Sequence, residues 1–250
     1  VMILGDETAS TSLDAQVLVA ADAGASEMVV MHLRGELTAH LDAVITPLLL
    51  PDTPIVTWWP TAAPMRPSEA QLGSIAQRRI TNTRRNVTDN ALLRATTGYT
   101  TGDSDMMWSR ITPWRGVVAS ALDRCPDARV TAVEITGPPE DPSVDIAAGW
   151  LAQALELNVT RIASSQADAD GLPIKRLALS SHIGEILVEV HDPQTVKVTV
   201  PGYPETFVAL SSRTDAECLA EELRHLAPDT TYGRALDGLA RVHATSRDLI

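Results

Sequence analysis

Four short apolar segments, separated by turn residues, lie between positions 174 and 210 of the 250-residue chain. They span 174–179, 185–190, 194–200 and 206–210. In the third segment valines alternate with Lys197 and Thr199, which places apolar and polar side chains on opposite faces of a strand. This alternation is typical of an antiparallel strand with one buried face. The segments therefore predict an antiparallel meander, and two predicted helices follow it.

The first half of the chain predicts a different architecture. Strand-like segments at 15–20, 26–33 and 55–59 alternate with helix-like segments at 36–50 and 72–80. A strand, a helix and a strand in this order predict a βαβ unit with a right-handed crossover.

The middle of the chain combines an ambiguous segment with a well-marked helix. Residues 81–105 are polar and have no clear period, so they form either a long functional loop or a weak helix around 90–95. Thr112 and Pro113 then predict the start of a helix, as N-cap and first helical residue. A strand at 129–136 and a second helix follow.

Together these patterns predict two domains. Residues 1–127 are predicted to form an α/β N-terminal domain with a mixed or parallel sheet and flanking helices. Residues 128–250 are predicted to form an α+β C-terminal domain that contains the antiparallel meander. The sequence opens with Val1, inside a strand-like segment and without an initiator methionine. We therefore expect the first domain to be truncated at its N-terminus.

Charge and motifs argue against several functional classes. The net charge of −12 argues against nonspecific nucleic-acid binding, which requires Lys and Arg to neutralise phosphates. The sequence has no uninterrupted apolar run of about 18 residues and no secretory signal at its start, so we expect no membrane and a cytoplasmic location. It also has no phosphate-binding loop, dinucleotide fingerprint, zinc-ligand spacing or nucleophile elbow. We predict that the protein is not an enzyme and uses no catalytic residue, metal or cofactor.

The two cysteines, Cys125 and Cys218, are far apart and have no metal-ligand spacing. They are either two reduced thiols or the halves of a regulatory disulfide. The sequence alone leaves both alternatives open.

Tryptophan and arginine concentrate in the middle of the chain. Four of the five tryptophans lie between positions 58 and 114, and residues 78–124 contain eight arginines against four acidic residues. Both residue types are enriched at protein–protein hot spots, and arginine binds carboxylate or phosphate through two donors. Trp58 and Trp59 are adjacent, so in a strand their rings point to opposite faces. Either this region docks an anionic ligand or an acidic partner, or it is a solvated basic face with buried tryptophans.

Three segments of this region carry a family resemblance. They are Leu48-Leu49-Leu50-Pro51-Asp52-Thr53-Pro54 through Trp58-Trp59-Pro60; Ala76-Gln77-Arg78-Arg79-Ile80-Thr81; and Asp103-Ser104-Asp105, Trp108, Arg110 and Thr112-Pro113-Trp114-Arg115. In order and approximate spacing, over residues 15–125, they resemble the glucose-6-phosphate dehydrogenase assembly protein family (OpcA-type).

The resemblance implies a non-catalytic assembly or activation factor that binds glucose-6-phosphate dehydrogenase and supports its active form in the oxidative pentose phosphate pathway. We expect the partner to be contacted by tryptophan, arginine and aspartate side chains of the three segments. These are Trp58, Trp59, Arg78, Arg79, Asp103, Asp105, Trp108, Arg110, Trp114 and Arg115.

A rival hypothesis, from a different class, uses the same residues. The chain would be a sugar-phosphate or nucleotide-binding module, a degenerate enzyme in which the arginines hold phosphate and a tryptophan stacks on a ring. A thermal-shift screen with such ligands separates the two hypotheses, because a ligand that binds only the native state raises the melting temperature.

Overall fold

The structure is a computed structural model that describes residues 1–19, 27–86, 91–164 and 171–245. Its strands form three sheets, of three, three and seven strands. Residues 20, 26 and 90, at the ends of predicted elements, lie outside the described residues.

The first sheet is mixed and has one apolar face. Its strands are β1 (Met2–Leu4), β2 (Ser12–Leu18) and β3 (Met28–Arg34). The central strand is β3, with β1 parallel and β2 antiparallel to it. The register pairs Leu13 with Leu33 and Met2 with Met31, so these four side chains share one face. Leu33 and Met31, on the central strand, are buried.

The second sheet is parallel throughout. Its strands are β4 (Val56–Trp58), β5 (Arg78–Thr81) and β6 (Asp103–Asp105). They lie in the order β4-β5-β6, so each strand pairs with the next one in the sequence. Parallel neighbours need a crossover connection. The crossovers contain the short helices α2 (Gln71–Ser74) and α3 (Ala91–Thr97), and α4 (Met106–Arg110) begins directly after β6.

The predicted helix at 36–50, and the βαβ unit built on it, are wrong. The segment forms α1 (Leu41–Ile45) between two 3₁₀ turns at Gly35–Ala39 and Thr46–Leu48. No side chain caps the start of α1, and Pro47 has no N–H to continue it. Because β3 and β4 belong to different sheets, the segment is no crossover between them.

The predicted helix at 72–80 is also wrong, because α2 stops at Ser74 and the chain enters β5 four residues later. A Cβ at Gly73 would lie 1.7 Å from the carbonyl oxygen of Pro67, so the chain packs very closely here. Ile80 is fully buried in β5, and this tertiary burial overrides the local helical spacing. For residues 81–105 the sequence left open a long loop or a weak helix around 90–95. Helix α3 confirms the helix.

The third sheet contains the predicted meander. Its strands are β7 (Val130–Gly137), β8 (Val159–Ala163), β9 (Arg176–Ser181), β10 (Gly184–Asp192), β11 (Thr195–Thr199), β12 (Thr206–Ala209) and β13 (Val242–Thr245). The order is β12-β11-β10-β9-β7-β8-β13. Pairing is antiparallel from β12 to β7 and parallel from β7 to β13. Strands β9 to β12 confirm the meander, whereas β8 and β13 were not predicted.

Four longer helices accompany this sheet. They are α5 (Thr112–Asp123), α6 (Pro142–Leu155), α7 (Asp215–Arg224) and α8 (Thr230–Gly238). Thr112 is the first residue of α5 rather than its N-cap, which is Ile111. One cluster of buried apolar side chains extends from Ile80 to Leu236. The predicted fold class, α/β followed by α+β with a meander, is confirmed, and the domain boundary at 127/128 stays a prediction.

Candidate functional site

A buried polar network around Glu222 joins the second sheet to helix α7. Glu222 is only 3% exposed. Its carboxylate accepts hydrogen bonds from the Arg78 guanidinium and from the hydroxyl groups of Ser104 and Ser109. A carboxylate out of reach of water needs such partners, because burying an unpaired charge is costly. These four residues, on β5, β6, α4 and α7, are called the Glu222 network below.

Arg78 also fixes the chain that follows α7. Its Nη1 donates to the carbonyl oxygen of His225 and, at 3.1 Å, to that of Ala227. Carbonyl groups at the end of a helix have no intrahelical donor, so the guanidinium satisfies groups that would otherwise need water. Arg78 therefore binds the end of α7 in two ways, by charge and through the backbone.

Arg79, the next residue of β5, pairs with Asp103 of β6. Its Nε donates to Asp103 Oδ1, and its terminal nitrogens donate to the carbonyl groups of Ala76 at 2.8 Å and Thr101 at 2.7 Å. The backbone N–H of Thr100 donates to Asp103 Oδ2 at 2.8 Å. The pair therefore stabilises the turn that leads into β6.

Asp105 is fully buried and forms the N-cap of α4. Its Oδ1 accepts a hydrogen bond from the backbone N–H of Met107 at 2.9 Å. Its Oδ2 accepts from the N–H of Thr83 at 2.9 Å and from the hydroxyl groups of Thr81 and Thr83. Burial raises the pKa of Asp105 to about 6, although the hydrogen bonds oppose this shift. One carboxylate thus links the end of β5 to α4.

We expect pH to act on stability through Asp105. Its folded-state pKa, about 6, lies above the ordinary value of 3.8, so the folded chain holds this proton more tightly than the unfolded chain. The Asp105 contribution to the free energy of unfolding is therefore fully present at acid pH and is lost as the pH rises through 6. From pH 5 to pH 7 this loss is about 1 kcal/mol. A ¹³C NMR titration of the aspartate carboxyl carbons, assigned with Asp105→Asn, measures the pKa, and a midpoint near 4 would contradict the prediction.

Trp108 and Arg115 form a stack next to the Glu222 network. The guanidinium carbon of Arg115 lies 3.4 Å from the ring centroid of Trp108, a cation–π contact. Burial lowers the pKa of Arg115 to about 10. Trp108 Nε1 donates to Asp229 at 2.7 Å, and Asp229 caps α8 by accepting from the N–H groups of Thr231 and Tyr232. The stack therefore links α4 and α5 to the start of α8.

Arg110 and Trp114 contact the C-terminal half of the chain. Arg110 Nη2 donates to Ser212 Oγ at 2.8 Å. Burial, with repulsion from Arg84, lowers the pKa of Arg110. The ring of Trp114 meets that of Trp150 edge-on, with 6.2 Å between the centroids. Both side chains therefore contribute to packing.

The adjacent tryptophans at the end of β4 differ in exposure: Trp58 is the last residue of the strand and Trp59 follows it. Trp58 is 41% exposed, and its Nε1 donates to the sulfur of Met106 at 3.2 Å. Trp59 is partly buried, and its ring lies against Gly73. One ring faces solvent and the other packs inward, as the alternation of a strand requires.

The structure thus brings most of the predicted site residues into the protein interior. Trp59 and Arg115 are partly buried, and the side chains that are buried are Arg78, Arg79, Asp103, Asp105, Trp108, Arg110 and Trp114. Among the ten, Trp58 alone is exposed, at 41%. Arg78 and Arg79 are paired inside the protein, so they do not form a solvated basic face. Whether the ten residues contact a partner stays a prediction.

The sequence analysis missed the partners of these residues, namely Glu222, Asp229, Ser109 and Ser212. Glu222 lies 144 positions from Arg78, and Asp229 lies 121 positions from Trp108. Local spacing carries no information about such pairs. Asp229 had one available signal, because an aspartate directly before a helix is a preferred N-cap.

Three further observations on the described part of the chain concern metal binding, the two cysteines and membrane-spanning helices. It contains no group of three His, Cys, Asp or Glu side chains placed to bind a metal ion. Cys125 and Cys218 are buried and free, so the structure contains reduced thiols, and burial raises the pKa of Cys218 to about 11. None of the described helices has the length and apolar character needed to cross a membrane.

Fold and site define a protein in which a small parallel sheet is joined to a larger α+β unit by buried polar side chains. Residues 1–97 match the family model described as glucose-6-phosphate dehydrogenase subunit N-terminal domain, and residues 101–236 match the one described as the C-terminal domain of that subunit. The chain belongs to the OpcA-type glucose-6-phosphate dehydrogenase assembly family, as its sequence motifs predicted. Its role is associated with that dehydrogenase. No curated protein matches the chain at a significant level.

Solved structures with a related outline come from KijD10, a 3-ketoreductase from Actinomadura kijaniata. A lysine-to-alanine mutant of KijD10 in complex with TDP-benzene and NADP is 10% identical, with a TM-score of 0.45 and coverage of 81% of this chain and 82% of that chain. The open conformation of KijD10 is 10% identical, with a TM-score of 0.43 and coverage of 86% and 84%. Likeness at this level carries no argument about function.

Proposed function

We propose that the protein is a non-catalytic assembly and activation factor that binds glucose-6-phosphate dehydrogenase in the cytoplasm and supports its active form in the oxidative pentose phosphate pathway. The observation that carries this proposal is the match of both halves of the chain to the two domain models of one dehydrogenase-associated family.

The site supports a structural role for its charged side chains. In an enzyme, a general acid, base or nucleophile must reach the substrate. Here the carboxylates of Glu222, Asp103 and Asp105 each accept several hydrogen bonds inside the protein and are shielded from solvent. The same pairing removes the main support for the rival phosphate-binding hypothesis, because Arg78 and Arg79 already bind carboxylates within the chain.

The ten predicted residues have two roles in this proposal. Trp58 contacts the dehydrogenase directly, because it combines a large apolar ring with 41% exposure. The other nine shape the surface around it by holding β4, β5, β6 and α4 in place. Trp58 is tied to this framework through Met106, the first residue of α4.

Activation by binding requires a difference in affinity. A factor that binds active and inactive dehydrogenase equally shifts neither population, however tightly it binds. A rigid contact surface favours such discrimination, since a surface that adapts to both states would bind both. The buried ion pairs of Arg78 and Arg79 provide rigidity next to β4.

Replacing Trp58 with alanine is expected to weaken the complex with the dehydrogenase at least about tenfold, as truncation of a central interface tryptophan does. Isothermal titration calorimetry with the purified dehydrogenase measures the dissociation constant. Phe207→Ala is the matched control, because Phe207 is 57% exposed on β12, in a different sheet. The control is expected to change affinity less than about twofold. Equal affinities for wild type and Trp58→Ala would remove Trp58 from the contact surface.

A further inference from the structure

A cleft opens beside β5 and β6. Its interior leaves about 30 Å³ for water-sized molecules, enough for one or two hydroxyl groups, and the space reaches about 410 Å³ only when the open solvent at its mouth is counted. Thr81 and Thr83 line it at the carboxyl end of β5, and Asp103 and Ser104 line it from the start of β6. Of the Glu222 network, only Ser104 is among its described lining residues, and Trp58 is not among them.

Tyr232 provides the innermost hydrogen-bond donor of the cleft. The residue is 2% exposed, and its ring packs against those of Trp108 and Tyr99 at centroid distances of 5.9 and 6.0 Å. Its side chain lines the cleft. Within the described ranges, no group accepts a hydrogen bond from the Tyr232 hydroxyl. Burial, with the nearby charge of Asp105, raises the pKa of Tyr232 well above 10, so this hydroxyl keeps its proton.

Tyr99 provides a second donor. It also lines the cleft, and its ring meets that of Tyr232 edge-on. Its hydroxyl group lies over Gly233, where an added Cβ would come within 2.6 Å of it. Burial raises the pKa of Tyr99 as well. No described side chain or backbone group is bonded to its hydroxyl, so the cleft holds two neutral tyrosine donors without a protein acceptor.

Three further hydroxyl groups belong to residues that line the cleft. Thr81 and Thr83 donate their protons to Asp105, and Ser104 donates its proton to Glu222. A hydroxyl that donates in this way still has lone pairs to accept with. Ser104 Oγ already accepts from Arg78 Nη2 at 3.4 Å, so the two threonines are the hydroxyl acceptors available to a ligand.

The charge of the cleft argues against an anionic ligand. Asp103 is the one charged residue among its described lining residues, and its carboxylate is already paired with Arg79. Phosphate binding relies on arginine, lysine or clustered backbone N–H groups. Part of the lining is apolar and includes Ala63, Pro64 and Pro67. This part suits the C–H groups of a ligand.

We propose that this cleft binds one edge of a small uncharged polyol, such as a tetritol or a hexose. Hydroxyl groups donate and accept at adjacent atoms, which matches the tyrosine donors and the threonine acceptors. A ligand without hydroxyl groups would displace water from the Tyr232 hydroxyl without replacing its hydrogen bond, which is unfavourable. The proposal does not depend on binding to the dehydrogenase.

Saturation-transfer NMR on the isolated protein tests the proposal, with erythritol and D-glucose as probes. We expect transfer to the C–H protons of both probes and dissociation constants in the millimolar range. Tyr232→Phe keeps the ring but removes the hydroxyl, and it is expected to raise the dissociation constant at least about fivefold, as loss of one hydrogen bond does. Tyr99→Phe is expected to act in the same direction. Circular dichroism verifies that both variants fold.

The control is Tyr203→Phe, because Tyr203 is exposed between β11 and β12 and does not line the cleft. It is expected to bind the probes like wild type. A loss of affinity confined to the cleft variants therefore distinguishes binding in the cleft from the general effect of polyols on protein surfaces. Glucose 6-phosphate provides the charged comparison and is expected to bind more weakly than D-glucose. Absence of transfer in wild type, unchanged affinity in both cleft variants, or tighter binding of glucose 6-phosphate would overturn the proposal.

Discussion

Glu222→Gln is expected to lower the free energy of unfolding by about 3 kcal/mol or more, as breaking a buried ion pair does. Glutamine has the shape of glutamate but no charge, so the buried guanidinium of Arg78 would lose its counter-charge. The amide would also place its NH2 group either toward Ser109 or toward Ser104 and Arg78, all of which now donate to the carboxylate. Urea titrations at pH 7 measure the loss of unfolding free energy, with the same dependence of that free energy on urea concentration used for wild type and variant.

The neighbouring Glu221→Gln is the matched control. Glu221 pairs with Arg213 at 3.2 Å, but both side chains are 25% exposed. Pairs that water reaches contribute at most about 1 kcal/mol, so the control should change stability little. If Glu222→Gln and the control lose unfolding free energies that agree within about 0.5 kcal/mol, the Glu222 network does not hold the second sheet to α7.

Adding one methyl group at Gly149 is expected to lower the free energy of unfolding by about 2 kcal/mol, the usual cost of overpacking a tight core. Helices α6 and α8 approach so closely here that a Cβ at Gly149 would lie 2.3 Å from the carbonyl oxygen of Ala235. The reverse contact is as close, because a Cβ at Gly238 would lie 2.0 Å from the Gly149 oxygen. The backbone must move apart to accept Gly149→Ala.

The same substitution in α5 is expected to have the opposite sign. Gly116 lies inside that helix, and a Cβ there would meet no atom within 4 Å. Alanine favours helix over glycine, so Gly116→Ala is expected to stabilise the protein by about 0.5–1 kcal/mol. Thermal or urea unfolding of Gly149→Ala and Gly116→Ala measures both changes in stability. Changes of the same sign in the two variants would contradict this account of helix packing.

The sequence predicted elements whose pattern is local. The valine and lysine alternation of β11 follows from one buried and one solvated sheet face, and it identified the meander correctly. Short elements of the first half were harder, because α1 and α2 contain five and four residues. A helix of one turn has almost no period to detect.

Strand β5 shows why the sequence could not decide between a solvated basic face and buried arginines. Its sequence, Arg78-Arg79-Ile80-Thr81, carries two adjacent charges, which normally indicate exposure. Both arginines are buried, because Glu222 and Asp103 supply counter-charges from distant or neighbouring segments. Charge reversal at either arginine is therefore expected to damage the fold, and it would be a poor test of partner binding. The family motifs identified the region, whereas only the structure separates the exposed Trp58 from the buried residues around it.

The most direct test of the proposed function is NADP reduction by purified glucose-6-phosphate dehydrogenase from the same organism, with and without a saturating amount of this protein. We predict a higher kcat or a lower apparent KM for glucose 6-phosphate, no such change with an unrelated acidic protein, and a smaller change with Trp58→Ala. Unchanged kcat and KM, together with no complex on a sizing column, would contradict the proposal that this protein binds and activates the dehydrogenase.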